Sequence, residues 1–108
     1  MSEVPSVPVE DVGPQTVLLD VREQDEWDAG HAPGALHLPA TELMARYGEV
    51  PVDCEVHVIC RTGRRSAAVA QWLNQEGFEA VNVDGGMDAW VQAGRPLVAE
   101  NGQPPRVL

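Results

Sequence analysis

The chain has 108 residues, 44% of them hydrophobic and 22% charged, a composition typical of one globular domain with one core. Seventeen acidic residues, seven arginines and no lysine give a net charge of -10, which argues against nucleic acids and anionic membrane surfaces as partners. The chain has no apolar run near the roughly 18 residues of a membrane helix and no basic, apolar leader at its N-terminus. We therefore expect a monomeric, cytoplasmic protein.

The first half of the chain predicts short strands that alternate with short helices. Residues 1–6 lack periodicity and predict a flexible lead-in, followed by a short edge strand near residues 7–9. The run 17–21 is apolar except for Asp20, which is typical of a buried parallel strand that ends at a functional edge. The segments that follow are a helical turn over 23–29, a strand over 35–38 and a helix over 40–47.

The second half repeats this alternation. The run 55–59 predicts a central strand, and the spacing of the apolar residues after it predicts a helix from Arg64 to Glu76. The remaining segments are a strand over 80–83, a short helix over 87–93 and a Pro-containing tail over 98–108. The alternation predicts a right-handed parallel α/β sheet with helices on both faces, in which ligands bind outside the carboxyl ends of the strands.

Cys60 lies at such a strand end, where the predicted central strand meets the next helix. A loop that closes onto a helix start directs several backbone N–H groups inward and adds the positive end of the helix dipole, so it favours an anion. Helix N-termini and neighbouring arginines lower the pKa of a cysteine from about 8.5 by roughly one to several units. We predict that the anion is the Cys60 thiolate, ionised by backbone donors together with Arg61, Arg64 and Arg65. The alternative is an inert cysteine beside a solvated helix start.

Other reactive side chains are expected to be structural. Cys54 lies six positions before Cys60, roughly 20 Å along an extended strand, which is too far for a disulfide. His31 is predicted to be a turn histidine bonded to backbone, and His57 a core or cleft-lining residue with one hydrogen bond. No spacing of Cys and His residues predicts a metal site. The three tryptophans, expected to anchor the core, are Trp27, Trp72 and Trp90.

Four motifs follow one another between residues 7 and 97. They are Asp20-Val21-Arg22 with Glu26; Gly30-His31-Ala32-Pro33-Gly34-Ala35; Cys60-Arg61-Thr62-Gly63-Arg64-Arg65-Ser66; and Gly85-Gly86 with Trp90, Gly94 and Pro96. Together they resemble a single-domain rhodanese, a sulfurtransferase domain. The resemblance implies a rhodanese-like α/β fold over residues 7–97, with a five-stranded parallel sheet and helices on both faces. The segment 10–16 is short for this family, so the first helix is expected to be lost or reduced to a turn.

The resemblance implies a reaction through Cys60. Its thiolate would attack a sulfane sulfur and carry it as a persulfide, which a thiophilic acceptor such as cyanide, a small thiol or a protein thiol then takes. No metal or organic cofactor is implied. Asp20 and Arg22, an acid beside an arginine at a strand end, are expected to form a structural ion pair behind this site.

The substrate-binding loop implied by the resemblance comprises Arg61, Thr62, Gly63, Arg64, Arg65 and Ser66. Its backbone amides would hold the terminal sulfur of the persulfide. Arg61 and Arg64 would bind an anionic donor such as thiosulfate, and Arg65 matches the arginine that closes the loop. Gly63 is expected to adopt a positive φ in the curled loop, where a side chain would also crowd the sulfur.

Two other functions stay open. Phosphatase and arsenate reductase members of the same superfamily resemble Cys-x5-Arg, whereas here the arginine is the fifth residue after Cys60 and Ser66 is the sixth. The shorter ring favours sulfur over a tetrahedral oxyanion. The other alternative is a module that kept the fold but not turnover, such as a protein-recognition or regulatory domain, or a persulfide carrier within one complex.

Overall fold

A five-stranded parallel sheet forms the centre of the computed structural model, which describes residues 4–108. The strands are β1 (Ser6–Val7), β2 (Val17–Asp20), β3 (Leu36–His37), β4 (Glu55–Ile59) and β5 (Glu79–Val83). Their order across the sheet is β1-β5-β4-β2-β3, and every neighbouring pair is parallel. The predicted five-stranded parallel α/β sheet is therefore confirmed.

Residues 4–108 contain four α-helices, of which three lie between strands and the last follows β5. They are α1 (Gln24–Ala29), α2 (Leu43–Arg46), α3 (Arg64–Gln75) and α4 (Gly86–Gln92). The helix predicted over 40–47 is wrong in extent, because 3-10 turns over Ala40–Glu42 and Tyr47–Glu49 leave only α2 between them. Leu43 is the one buried residue of α2, so little tertiary packing holds a longer helix there. Nowhere in residues 4–108 is there a helix with the length and apolar character needed to cross a membrane.

The connection between β1 and β2 contains a single 3-10 turn, Val9–Asp11. This confirms the expectation that the first helix is reduced to a turn. Gly13 and Pro14 follow immediately, and both residue types interrupt helices.

Helices cover both faces of the sheet, because successive side chains of a strand point to opposite sides. Val58 and Cys60 face a buried cluster that includes Leu73 of α3. Ile59, between them, faces a second cluster that includes Met87 of α4. The N-termini of α3 and α4 both lie near the carboxyl end of β4, where Cys60 follows the strand.

The tryptophans differ in burial from what the sequence suggested. Trp90 is buried, as expected of a core anchor. Trp27 and Trp72 are half-buried. Trp72 packs against the cluster that contains Leu73, as expected of a core anchor, whereas the prediction is wrong for Trp27. The indole of Trp27 is stacked between two imidazoles, with ring centroids 3.4 Å from His31 and 4.5 Å from His37.

The histidine predictions are confirmed. His31 Nδ1 lies 3.0 Å from the Ala32 carbonyl oxygen, and its Nε2 lies 2.8 Å from the Glu100 carboxylate. His57 is buried on β4, and its Nε2 forms one hydrogen bond with Glu55 Oε1 at 2.8 Å. Its buried Nδ1 has no hydrogen-bond partner among residues 4–108, so one hydrogen bond does not satisfy the ring.

The C-terminal segment after Leu97 lies against the end of α1. Val98 and His31 exchange two backbone hydrogen bonds of 2.9 Å, and the Arg106 amide donates to the Ala29 carbonyl at 2.9 Å. A Cβ on Gly30 would lie 2.3 Å from the Arg106 carbonyl oxygen, so this close approach requires glycine. Of the predicted lead-in over residues 1–6, residues 1–3 lie outside the described part of the chain, and Ser6 begins β1.

Candidate active site

Cys60 is buried directly after β4, and its sulfur is surrounded by hydrogen-bond donors. The amides of Gly63 and Ser66 lie 3.1 Å and 3.4 Å from Sγ, and the Ser66 hydroxyl oxygen lies 3.2 Å from it. Burial raises the pKa of the Cys60 thiol, but the hydroxyl of Ser66 and the amides of Ser66, Gly63 and Thr62 outweigh this effect. The pKa of Cys60 therefore lies below that of an ordinary thiol, which favours a thiolate.

The orientation of the loop peptides explains why donors face the sulfur. The carbonyl oxygen of Cys60 accepts a hydrogen bond of 2.8 Å from the Met87 amide, and that of Arg61 accepts one of 3.0 Å from the Asp88 amide. Both carbonyls therefore point toward the start of α4. Because the N–H of a peptide points away from its carbonyl, the N–H groups of the loop face Sγ. Gly86 permits this approach, because a Cβ there would lie 2.3 Å from the Cys60 carbonyl oxygen.

Gly63 takes the left-handed conformation that the curled loop requires. Its φ of +104° confirms the predicted positive value. That a side chain at this position would crowd the terminal sulfur of a persulfide stays a prediction. A Cβ on Gly63 would meet Asn82 Nδ2 and the Gly85 amide nitrogen at 3.5 Å, which is ordinary van der Waals contact. The requirement for glycine is therefore set by backbone conformation.

The three loop arginines have different surroundings. Arg65 forms two hydrogen bonds with the Glu26 carboxylate, of 2.7 Å and 3.0 Å, which lower the pKa of Glu26 against the opposing effect of burial. Arg61 lies 3.9 Å from Asp88, and both side chains are about half exposed. Arg64 is exposed and has no ion pair with any described residue. The predicted backbone donors, together with the Ser66 hydroxyl, are the main causes of the lowered pKa of Cys60, and the charge of Arg65 also interacts with the Cys60 thiolate.

Asp20 and Arg22 form the buried ion pair that the sequence suggested. Arg22 Nη2 donates to Asp20 Oδ2 at 2.7 Å and also to the Gly30 carbonyl at 2.7 Å. These bonds join the end of β2 to the end of α1. Helix α1 in turn presents Glu26 to Arg65. The ion pair therefore supports the site through α1.

Asn82 belongs to the site, although the sequence analysis did not assign it there. It is buried on β5; its Nδ2 donates to the Gly63 carbonyl at 3.2 Å, and its Oδ1 accepts from the Ser66 hydroxyl at 2.5 Å. The available signal was a single amide side chain within the apolar run 80–83. Glu26 was part of a recognised motif, but its pairing with Arg65 links positions 39 residues apart and has no local signature.

Arg65 and Glu26 lie beside the donors that surround the Cys60 sulfur. Two N–H groups of the Arg65 guanidinium donate to the Glu26 carboxylate, which fixes the position of Arg65 beside the loop. Within residues 4–108, no three or more His, Cys, Asp or Glu side chains are placed together to hold a metal ion.

Comparison with known proteins identifies several similar to this chain. The family of rhodanese-like domains matches residues 8–93. A sulfurtransferase from Allochromatium vinosum is 39% identical over 87 residues, which cover 80% of this chain and 81% of that protein. YrkF, a candidate sulfur carrier protein from Bacillus subtilis, is 40% identical over 74 residues; these cover 68% of this chain but only 40% of YrkF. A rhodanese-related protein from Thermoplasma volcanium has a crystal structure with a TM-score of 0.82 and 33% identity, covering 87% of this chain and 97% of that one.

Proposed function

Because the chain belongs to the rhodanese-like domain family, we propose that it is a sulfurtransferase whose nucleophile is Cys60. The observation that carries this proposal is the environment of the Cys60 sulfur, which is buried and has three donor atoms within 3.4 Å. A buried thiol without such donors stays neutral, because burial disfavours the charged form. The presence of these donors therefore supports a role for Cys60 as an anionic nucleophile.

In the first half-reaction, the Cys60 thiolate attacks the sulfane sulfur of an anionic donor, which we propose is thiosulfate. A bond forms between Sγ and that sulfur, the sulfur–sulfur bond of thiosulfate breaks, and its electron pair leaves with sulfite. Cys60 then carries a persulfide, whose terminal sulfur is held by the backbone amides of residues 61–65. Since the nucleophile is already ionised, no general base is needed.

The donor is bound by the two arginines that have no tight partner. Arg61 and Arg64 are exposed beside the loop, and the described part of the chain offers them only the distant Asp88 carboxylate. Their charges lie on a protein of net charge -10, so the attraction for a small anion is local to this loop.

In the second half-reaction, an anionic acceptor attacks the terminal sulfur. The bond between the two sulfurs of the persulfide breaks, and its electron pair returns to Sγ as the Cys60 thiolate. A sulfur of low pKa is a good leaving group, so the same donors assist this step. We propose cyanide, a small thiol or a protein thiol as acceptor.

We propose a monomer that acts in the cytoplasm, with no nucleic-acid or membrane partner. The net charge of -10 supports the exclusion of these polyanionic partners. A basic protein acceptor would be attracted to the same charge.

A sulfur carrier is the second candidate, favoured by the similarity to YrkF. A carrier would take sulfur onto Cys60 and pass it to one protein partner, without turning over thiosulfate and cyanide.

The test is to incubate the protein with thiosulfate and to locate any added mass by peptide mass spectrometry. We expect an adduct of about 32 Da, one sulfur atom, on Cys60 and not on Cys54. Adding cyanide should release thiocyanate and regenerate the unmodified protein. An adduct without thiocyanate turnover would favour the carrier, and the absence of any adduct with thiosulfate or a persulfide donor would overturn both.

A further inference from the structure

Asn82 presents its carbonyl oxygen to the Ser66 hydroxyl, and the loop fixes this orientation. Its Nδ2 lies 3.2 Å from the Gly63 carbonyl oxygen. Turning the amide around would place two carbonyl oxygens against each other, so Nδ2 must face Gly63. Oδ1 therefore faces Ser66, whose Oγ lies 2.5 Å away.

Ser66 has two acceptors for one hydrogen. Its Oγ lies 3.2 Å from Cys60 Sγ and 2.5 Å from Asn82 Oδ1, but a hydroxyl has a single proton to donate. When Cys60 is a thiol, each acceptor has a donor, because the Cys60 S–H donates to Ser66 Oγ and the Ser66 O–H donates to Asn82 Oδ1. When Cys60 is a thiolate, the hydroxyl serves only one of the two acceptors. The sulfur still accepts from the Gly63 and Ser66 amides, whereas Asn82 Oδ1 loses its Ser66 partner if the hydroxyl turns to the sulfur.

We propose that Asn82 is a positioning residue that competes with the Cys60 sulfur for the Ser66 hydroxyl hydrogen, which weakens that hydrogen bond and thereby keeps the thiolate more basic. The proposal rests on the proposed function, since it concerns the same nucleophile. A thiolate loses nucleophilicity as it becomes less basic, so an unopposed set of donors would stabilise Cys60 at the expense of attack. In the persulfide state the charge lies on the terminal sulfur, and the hydroxyl is free to donate to Asn82.

The direction in which the pKa of Cys60 changes when Asn82 is replaced distinguishes this role from a merely structural one. Replacing Asn82 with leucine removes the competing acceptor, so the Ser66 hydroxyl donates fully to the thiolate and the pKa of Cys60 falls. If Asn82 only held the loop in shape, its loss would loosen the Gly63 amide, and the pKa of Cys60 would rise.

The experiment measures the rate of alkylation of Cys60 by iodoacetamide against pH, with Cys54→Ser in every protein. Four proteins form a cycle: the parent, Asn82→Leu, Ser66→Ala and the double variant. Asn82→Ala replaces Asn82→Leu if the leucine protein does not fold. Asn74→Leu is the matched control, because Asn74 also pairs its amide with backbone, at Ala80, but lies away from the sulfur.

The charged groups near Cys60 are unchanged across the cycle. They are Arg61, Arg64, Arg65, Glu26, Asp88, Asp20 and Arg22. Differences between the variants therefore report on the hydroxyl and the amide alone.

We expect Asn82→Leu to lower the alkylation midpoint by roughly one pH unit when Ser66 is present, the size of one hydrogen bond to a charged group. The shift should be absent or reversed in the Ser66→Ala background, and Asn74→Leu should leave the midpoint unchanged. Equal shifts of Asn82→Leu in both backgrounds, or an upward shift with Ser66 present, would overturn the proposal. Alkylation needs no turnover, so this result is independent of whether thiosulfate leaves sulfur on Cys60.

Discussion

Strand β4 has a free cysteine at each end, and the two differ in every respect that bears on reactivity. Cys54 precedes the strand and is half-buried, and no described residue donates a hydrogen bond to its sulfur. Cys60 follows the strand, is 1% exposed, and accepts from Gly63 and Ser66. The thiol with less access to solvent is thus the one with more donors.

This contrast shows that the donors around the sulfur depend on which end of β4 carries the cysteine. At its carboxyl end, β4 leads into a loop whose carbonyls are bonded to the start of α4 and whose amides face the sulfur. At the amino end no helix begins beside Cys54. Ligands of parallel α/β sheets gather at carboxyl ends for this reason. Cys54 therefore serves as an internal control for Cys60.

The largest expected effect separates the two cysteines directly. Cys60→Ser should abolish the sulfur adduct and thiocyanate formation, because the hydroxyl does not ionise near neutral pH. Cys54→Ser should leave both unchanged within roughly twofold. Stopped assays for thiocyanate, with circular dichroism to check the fold, measure the difference. Activity of Cys60→Ser equal to that of the parent would contradict the assignment.

The next largest effect is expected from a substitution that disturbs the orientation of the loop peptides that follow Cys60. Gly86→Ala would place Cβ 2.3 Å from the Cys60 carbonyl oxygen at a φ of +56°, so the start of α4 must move away from the loop. We expect a loss of at least about 3 kcal/mol in unfolding free energy and more than tenfold in activity.

Gly94→Ala is the matched control for this substitution. Gly94 has a φ of +72° but open space around it, so it shares only the conformational cost, about 1 to 2 kcal/mol. Urea unfolding curves compare the two variants. Equal losses of unfolding free energy in the two variants would show that the contact between α4 and the loop does not stabilise the fold.

A moderate effect is expected from the arginines. Arg64→Ala and Arg61→Ala should each raise KM for thiosulfate by about two- to fivefold with little change in kcat, since they bind the donor before and during attack. Arg106→Ala, on the C-terminal segment, changes net charge equally and should have no effect. High salt should reduce the difference. A KM for thiosulfate that is as low in Arg64→Ala and Arg61→Ala as in the parent would exclude a role in donor binding.

The smallest effect concerns the ion pair that anchors Arg65. Glu26 has a lowered pKa in the folded protein, so its pairing stabilises the fold above the pKa of the unfolded chain, about 4.3, and this contribution is lost as pH falls below it. Glu26→Gln should cost about 0.5 to 1 kcal/mol at pH 7 and less near pH 3. Glu49→Gln, in the exposed pair with Arg46, should cost less. A Glu26→Gln cost that is independent of pH would contradict the pairing.

The sequence predicted most of the sheet because its strands are local apolar runs. β4 has the bounds expected, and β2 and β5 differ by one residue. The helix over 40–47 was less predictable, because what holds a short helix is tertiary packing, and only Leu43 is buried in α2. The placement of Trp27 between two histidines depends on residues from separate segments, which no local pattern shows.

The loop itself was predictable, since its residues are contiguous and end in a helix. The backbone donors that lower the pKa of Cys60 were predicted with it, because a loop that closes onto a helix start directs its amides inward, whereas the part played by the Ser66 hydroxyl was not. Asn82 contacts the loop from 16 residues beyond Ser66, so only the folded β5 brings it there. Sequence therefore identified the nucleophile and its backbone donors but not the contact of Asn82 with Ser66.

The central claim is that the hydrogen-bond donors of the loop lower the pKa of the Cys60 thiol and favour its thiolate form. The direct measurement is the pH dependence of alkylation of Cys60 in the folded protein and in the same protein unfolded in urea, with each modified peptide identified by mass. Because the pKa is lowered in the fold, the folded midpoint should lie below the roughly 8.5 of an ordinary thiol and below the unfolded midpoint. Equal midpoints in the two states, or a higher one in the folded protein, would contradict the account.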